Sequence, residues 1–191
     1  MPKIITGLFK GLNLLSPKDP STRPTAALVR GAIFSILGAK PRDASVLDLF
    51  SGTGAMGLEA LSRGAERLLM CDQSPAALGT IAANVKKIPP RLQPKAKTLM
   101  ATFPRDFGLL LADAPYSLFL LDPPYDDPVD TVLSFLRFAA DNRLAAPPAT
   151  LVWEQSPKSL KLWQPQDLRP WDLLLARRWG KKAAAILELN A

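Results

Sequence analysis

From Asp43 onward the chain alternates between short apolar runs and polar-capped amphipathic segments, and this alternation limits its fold more than any other feature. Residues 45–50, 67–71, 95–100, 116–121 and 149–154 read as strands, five or six residues long and bounded by turn formers. Between them, 55–63, 74–87, 105–111 and 128–140 read as helices. Ser74 supplies an N-cap with Pro75 at the first helical position, and Gly64 stands where a helix should stop. Strands joined through helices require right-handed crossovers and a parallel sheet covered on both faces. Residues 173–179 and 183–189 close the chain as an antiparallel pair around Gly180-Lys181-Lys182. The expected fold is therefore a doubly wound, Rossmann-like α/β domain, mostly parallel, with an antiparallel C-terminal strand. Ahead of it, residues 3–15 read as a hairpin about Gly11, 16–22 as a loop, and Pro24-Thr25 as the start of a helix running to Leu37 and ended by Gly38. This divides the chain into an extension, 1–40, and the α/β domain, 41–191.

Ligands of such a fold bind beyond the carboxyl ends of the strands. The first strand runs into Asp48-Leu49-Phe50-Ser51-Gly52-Thr53-Gly54-Ala55-Met56-Gly57. G-x-G-x-x-G after a strand and before a helix lets the backbone turn tightly and approach a ligand closely. Two ligand classes use it. A dinucleotide would set its pyrophosphate at the helix N-terminus, where the carboxylate of Asp48 would repel it. S-adenosylmethionine has no phosphate and carries a sulfonium and an ammonium, which an anion favours. Asp48, Phe50, Ser51, Gly52 and Gly54 are the expected contacts. Asp72, 24 residues after Asp48 at the second strand end, suits both hydroxyls of a ribose, a device common to both ligand classes, and Gln73 follows it. Cys71 beside it reads as a small buried apolar residue rather than a nucleophile.

The fourth strand ends in Asp122-Pro123-Pro124-Tyr125. Two prolines fix the backbone and leave carbonyls with no neighbouring amide donor. Asp122 and the Pro123 carbonyl can accept both hydrogens of one amino group while Tyr125 stacks on a planar base. An aromatic amine is a weak nucleophile because its lone pair is delocalised into the ring. Two acceptors on its N–H bonds favour a pyramidal nitrogen whose lone pair points at an incoming methyl group, so positioning matters more than proton abstraction. A proline-rich turn alone would be unremarked; it gains meaning in sequence with Asp48 and Asp72 on successive strand ends.

Composition narrows the chemistry further. There is no histidine, which excludes a Ser-His-Asp hydrolase and a His-ligated metal enzyme; no metal site is expected. One cysteine cannot form an internal disulfide. No signal peptide or membrane-length apolar run is legible, so a cytoplasmic location is expected. The net charge of +7 suits a polyanionic partner.

On these residues the sequence resembles the bacterial 16S ribosomal RNA guanine-N2 methyltransferases. The resemblance runs through Ile4-Ile5-Thr6-Gly7, Lys10-Gly11, Arg23-Pro24-Thr25, Val29-Arg30, Ile33-Phe34 and the Asp48 loop. It continues through Gly57-Leu58-Glu59-Ala60-Leu61-Ser62-Arg63-Gly64, Asn84 and Asp122-Pro123-Pro124-Tyr125. It implies an S-adenosylmethionine cofactor held at its methionine end by Asp48, Ser51, Gly52 and Gly54 and at its ribose by Asp72. The target base would be held by Asp122 to Tyr125, with Arg23, Thr25 and Arg30 near the active-site mouth. Two positions depart from the family. Gly31 replaces the usual Glu and weakens its helix, and Met100-Ala101-Thr102 lacks the usual acidic or amide residue, leaving Thr102 as the polar candidate toward the adenine. The partner implied is 16S rRNA or the small ribosomal subunit, bound by a monomer and held through Lys3, Lys10, Arg23, Arg30, Arg177, Arg178, Lys181 and Lys182. Methylation of another amine, an adenine in nucleic acid or a protein glutamine, shares the D-P-P-Y chemistry. A non-catalytic rRNA-binding module shares the charge but has no use for Asp122.

Overall fold

The computed structural model describes residues 2–16, 24–124 and 129–190, and only the backbone of 24–26. The chain divides into two compact units, Met1–Met100 and Ala101–Ala191. The first therefore holds the hairpin and first helix together with the opening strands of the α/β pattern.

In the first unit, α1 (Pro24–Leu37), β1 (Ser45–Leu49), α2 (Ala55–Ser62), β2 (Arg67–Asp72), α3 (Pro75–Val85) and β3 (Ala96–Met100) follow one another. The strands pair in parallel in the order β3-β2-β1, with Leu47 opposite Leu69 and Cys71 opposite Leu99. β1 and β2 are buried along nearly their whole length, as strands covered on both faces must be, whereas β3 is largely exposed. α1 buries Val29, Ile33, Phe34 and Leu37, positions that fall on one helical stripe. α3 begins as its sequence dictates: the Ser74 hydroxyl accepts from the Ala77 amide and Pro75 takes the first turn.

The expected N-terminal hairpin is present but carries a single isolated bridge, Lys3 with Asn13, among the described residues. Ile4 donates to Leu12 O and Gly11 to Ile4 O, and the chain between them curls through turns. Gly7 (φ +92°) and Gly11 (φ +90°) permit that curl, which leaves too few extended residues for two full strands. A 3-10 helix, Pro90–Lys95, leads into β3.

The second unit runs β4 (Tyr116–Leu121), α4 (Val129–Asp141), β5 (Ala145–Gln155), β6 (Asp172–Trp179) and β7 (Lys182–Leu189). Its strand order is β4-β5-β7-β6: β4 and β5 are parallel, and β7 is antiparallel to both neighbours. β5 starts four residues before its expected beginning. Tyr116 pairs with Ala145, then the register slips so that Leu118 faces Thr150, across Pro147 and Pro148, which have no amide to donate. The helix expected at 105–111 is a 3-10 segment, Phe107–Asp113. The unit's core is aromatic. Phe119 meets the edges of Tyr116, Phe135 and Trp171, and the Trp171 indole donates to Leu136 O at 2.9 Å. No helix among the described residues is long and apolar enough to cross a membrane.

Candidate active site

The glycine loop is built by β1, α2 and their neighbours within the first unit. Asp48, 2% exposed, points its Oδ2 at the Gly57 amide, 2.8 Å away, in the first turn of α2. That amide is one of the donors a helix N-terminus leaves without an intrahelical partner, so a carboxylate belonging to the chain already occupies the positive end of α2. A pyrophosphate there would meet a buried like charge. Glycine is needed at 57 because a Cβ would sit 2.8 Å from both Asp48 Oδ2 and Leu68 Cδ1. Ser51 fastens the loop from beneath: its hydroxyl donates to Asp48 O (2.6 Å) and Cys71 O (3.1 Å), and its amide donates to Cys71 O.

Asp72 leaves β2 facing the same loop. Its Oδ2 accepts from Gly52 N and its Oδ1 from Ser74 N, both at 2.9 Å. Each oxygen retains a lone pair, so the carboxylate can still receive two hydroxyls. Gly52 is exposed, has φ +55°, and a Cβ added to it would meet nothing within 4 Å; the backbone here borders open space rather than protein. Gly54 (φ +75°) caps α2, with Met70 Sδ 2.9 Å from where a Cβ would lie. Phe50 also takes a positive φ, 60°, and is half-buried, while Gln73 is exposed. Asn84, fully buried on α3, donates to Thr53 O (2.9 Å) and Leu15 O (3.1 Å) and accepts from Leu15 N (2.6 Å), tying the glycine loop to the chain leaving the hairpin. Cys71 is buried, and burial, then Asp48 and Asp72, push its thiol far above the ordinary range, which leaves it inert as a nucleophile. A buried anion at the helix end, a two-hydroxyl acceptor and open backbone at Gly52 fit a nucleoside whose other end is cationic, as S-adenosylmethionine is.

Asp122, Pro123 and Pro124 leave β4 in the second unit, and Tyr125 lies outside the described residues. The Asp122 side chain is 46% exposed, so a ligand can reach it. Partial desolvation by neighbouring protein raises its pKa above the ordinary carboxylate value, and the Lys182 ammonium, 3.7 Å away, opposes that rise. Lys182 also reaches Glu154 Oε2 at 2.9 Å. Thr102 is in this unit too; its amide donates to Asp106 Oδ2 at 2.8 Å.

Of the expected substrate contacts, Arg23 lies outside the described residues and Thr25 is described only as backbone in the first turn of α1. Arg30 is 5% exposed and donates to Lys3 O at 2.6 Å, with Glu59 3.9 Å from its Nε, so in this position its guanidinium serves the hairpin. Sequence reasoning missed Glu59 as a hub. Fully buried on α2, it accepts from Ile5 N (2.7 Å), Thr6 N (3.1 Å) and Arg63 Nε (2.9 Å). The one available signal was a carboxylate inside an otherwise apolar helix, since such a charge is buried only when paired.

The model of the family described as Conserved hypothetical protein 95 matches residues 2–188. Ribosomal RNA small subunit methyltransferase D of Escherichia coli (strain K12) is 32% identical over 124 residues, 64% of this chain and 60% of that one. YlbH of Bacillus subtilis (strain 168) is 38% identical over 86 residues, 45% of this chain and 47% of its own. The chain thus spans about half to three fifths of the length of these curated relatives. The solved structure of yhhF from Escherichia coli superposes with a TM-score of 0.81 at 24% identity, covering 99% of this chain and 98% of the other. That likeness gives the fold expected from the sequence, Rossmann-like and mostly parallel with an antiparallel strand near the C-terminus.

Proposed function

The chain belongs to the family described as Conserved hypothetical protein 95, and from that membership and its two sets of site residues we propose that it transfers a methyl group from S-adenosylmethionine to the exocyclic 2-amino group of a guanine in small-subunit ribosomal RNA. The observation that carries the cofactor is Asp48 bonded to Gly57 at the start of α2, which fills the position a dinucleotide's phosphate would need. The name of the Escherichia coli relative, which says that protein acts on small-subunit rRNA, supports the substrate.

When bound, the cofactor supplies an electrophilic methyl carbon on a sulfonium. Asp72, braced by Gly52 N and Ser74 N, receives the ribose hydroxyls. Asp122 and the Pro123 carbonyl accept the two N–H bonds of the guanine amine, directing its lone pair. A base paired or stacked in RNA must first be extruded to reach them. So held, the amine's lone pair would be aimed at the methyl group that bound S-adenosylmethionine would supply. The nitrogen's proton then passes to Asp122 or to water.

The test is transfer of labelled methyl from S-adenosylmethionine to unmodified small subunits and to naked 16S RNA, with Asp122→Ala beside the unaltered protein. Label in guanine that requires Asp122 is expected. Label in adenine or in protein would redirect the D-P-P-Y chemistry to another amine. Undiminished transfer by Asp122→Ala would remove Asp122 from the reaction.

A further inference from the structure

Lys182, at the start of β7, is half-buried where Arg177 and Arg178 of β6 are exposed. Its neighbour Lys181 is exposed, while Lys182 is 22% exposed and lies between two carboxylates, 2.9 Å from Glu154 and 3.7 Å from Asp122. Glu154 has a 6% exposed side chain on β5, in register with Ala184 of β7. A buried carboxylate at that distance fixes the ammonium, because separating the pair would leave an uncompensated charge in the interior. The ammonium so fixed is within ion-pair reach of the carboxylate that ends β4.

We infer that Lys182, shared between Glu154 and Asp122, is a positioning residue that holds Asp122 ionised and oriented to accept the substrate amine. This rests on the role proposed above for Asp122. A protonated Asp122 would offer the amine a donor where an acceptor is needed, and an ammonium 3.7 Å away favours the ionised form. Lys182 does so without competing for the amine's proton, since it already carries its own. The charged groups that face Asp122 in the described part of this unit are Lys182 from β7 and, behind it, Glu154 from β5. Asp126 and Asp127 follow in the sequence, outside the described residues. The sequence placed Lys182 among the phosphate contacts of the closing strands; its geometry assigns it to the site instead.

The test compares Lys182→Met, Lys182→Arg and Glu154→Gln in two readouts: the carboxyl carbon-13 titration of Asp122 in the cofactor-free protein, assigned with Asp122→Asn, and the pH profile of methyl transfer. An opposite charge at this distance lowers a carboxyl pKa by about one unit or more. Lys182→Met should therefore raise the Asp122 titration by about one unit. It should move the acid limb of the rate upward equally, with about a tenfold loss on that limb that is recovered at higher pH. Lys182→Arg should keep both near their original positions. Glu154→Gln should shift both downward, since it frees the ammonium for Asp122 and removes a nearby negative charge; this opposite sign keeps the test open if Lys182→Met fails to fold. An Asp122 titration unmoved in all three variants, with any rate loss equal at every pH, overturns the inference. A titration that moves without the rate profile leaves the ion pair standing and overturns Asp122 as the amine's acceptor, which is the earlier reading and not this one.

Discussion

Two glycines of the first unit show how the surroundings of a single Cα decide the sign of a substitution. Gly31 lies inside α1, and a Cβ there would make an ordinary contact, 3.6 Å from Ile5 Cδ1. Nothing local requires glycine, so Gly31→Ala should stabilise the protein by up to about 1 kcal/mol through helix propensity. Gly7 has φ +92°, and a Cβ would fall 1.9 Å from the carbonyl oxygen of Ser62. Gly7→Ala should cost more than about 2 kcal/mol, because strain and overlap add and the obstacle is backbone. Denaturant melts of the two variants should move in opposite directions; movement in the same direction would mean that the hairpin does not pack on α2 as described. Asp106 provides a pH prediction at the same scale. Hydrogen bonding from Arg105, then from the Thr102 amide, holds its carboxyl down at about 2. A pKa depressed by folding contributes stability that is present above the unfolded carboxylate value of about 4 and is lost as pH falls through about 2. A carbon-13 titration placing Asp106 near 4 in the folded protein would show that the Thr102 turn is not held this way.

Among the elements, the attachment of the hairpin to α2 is the joint that local sequence least reveals. Glu59 collects Ile5 N, Thr6 N and Arg63, Ser62 bonds Thr6 O and Phe9 N, and Asn84 holds Leu15. Glu59→Ala leaves two amides and the Arg63 guanidinium without their acceptor and Arg30 without its nearby carboxylate, so it should cost about 3–5 kcal/mol. Hydrogen exchange should speed most at the Ile5 and Thr6 amides; uniform acceleration across β1 and β2 would instead mean that the hairpin and sheet unfold as one. The four helices and most strand positions were legible, because caps such as Ser74-Pro75 and apolar periodicity act over a few residues. The strand-end carboxylates Asp48, Asp72 and Asp122 were legible for a similar reason: the fold rule says where ligands sit, and the sequence says what stands there. The hairpin partners of Glu59 and Asn84, namely Ile5, Thr6 and Leu15, were not, since they come from more than 50 residues away in sequence. The slipped register at the start of β5 was not either, because it lies in how the segment containing Pro147 and Pro148 pairs with β4, which local sequence does not show.

For the whole molecule, the net charge of +7 is less evenly available than composition suggests. Arg30 is enclosed with Glu59 and the Lys3 carbonyl, Arg63 is held by Glu59 and lies 4.8 Å from the Phe34 ring centroid, and Lys182 faces two carboxylates. Arg177, Arg178 and Lys181, on or next to the closing strands, are exposed, as are Lys3 and Lys10 on the hairpin. If RNA is the substrate, the exposed set should carry the phosphate contacts. Each phosphate neutralised contributes roughly 0.7 to 0.9 to the slope of log affinity against log salt, because a condensed counterion is released. Replacing Arg177, Arg178 and Lys181 together by glutamine should flatten the slope for 16S RNA by about two and weaken binding similarly for unrelated RNAs. Lys182→Gln should leave the slope nearly unchanged while altering the pH profile of transfer. A slope that Lys182→Gln flattens as much as Lys181→Gln does would return Lys182 to the RNA-facing surface and take it away from Asp122. The two lysines adjoin in sequence, so the comparison separates charge offered to a polyanion from charge used to tune a carboxylate.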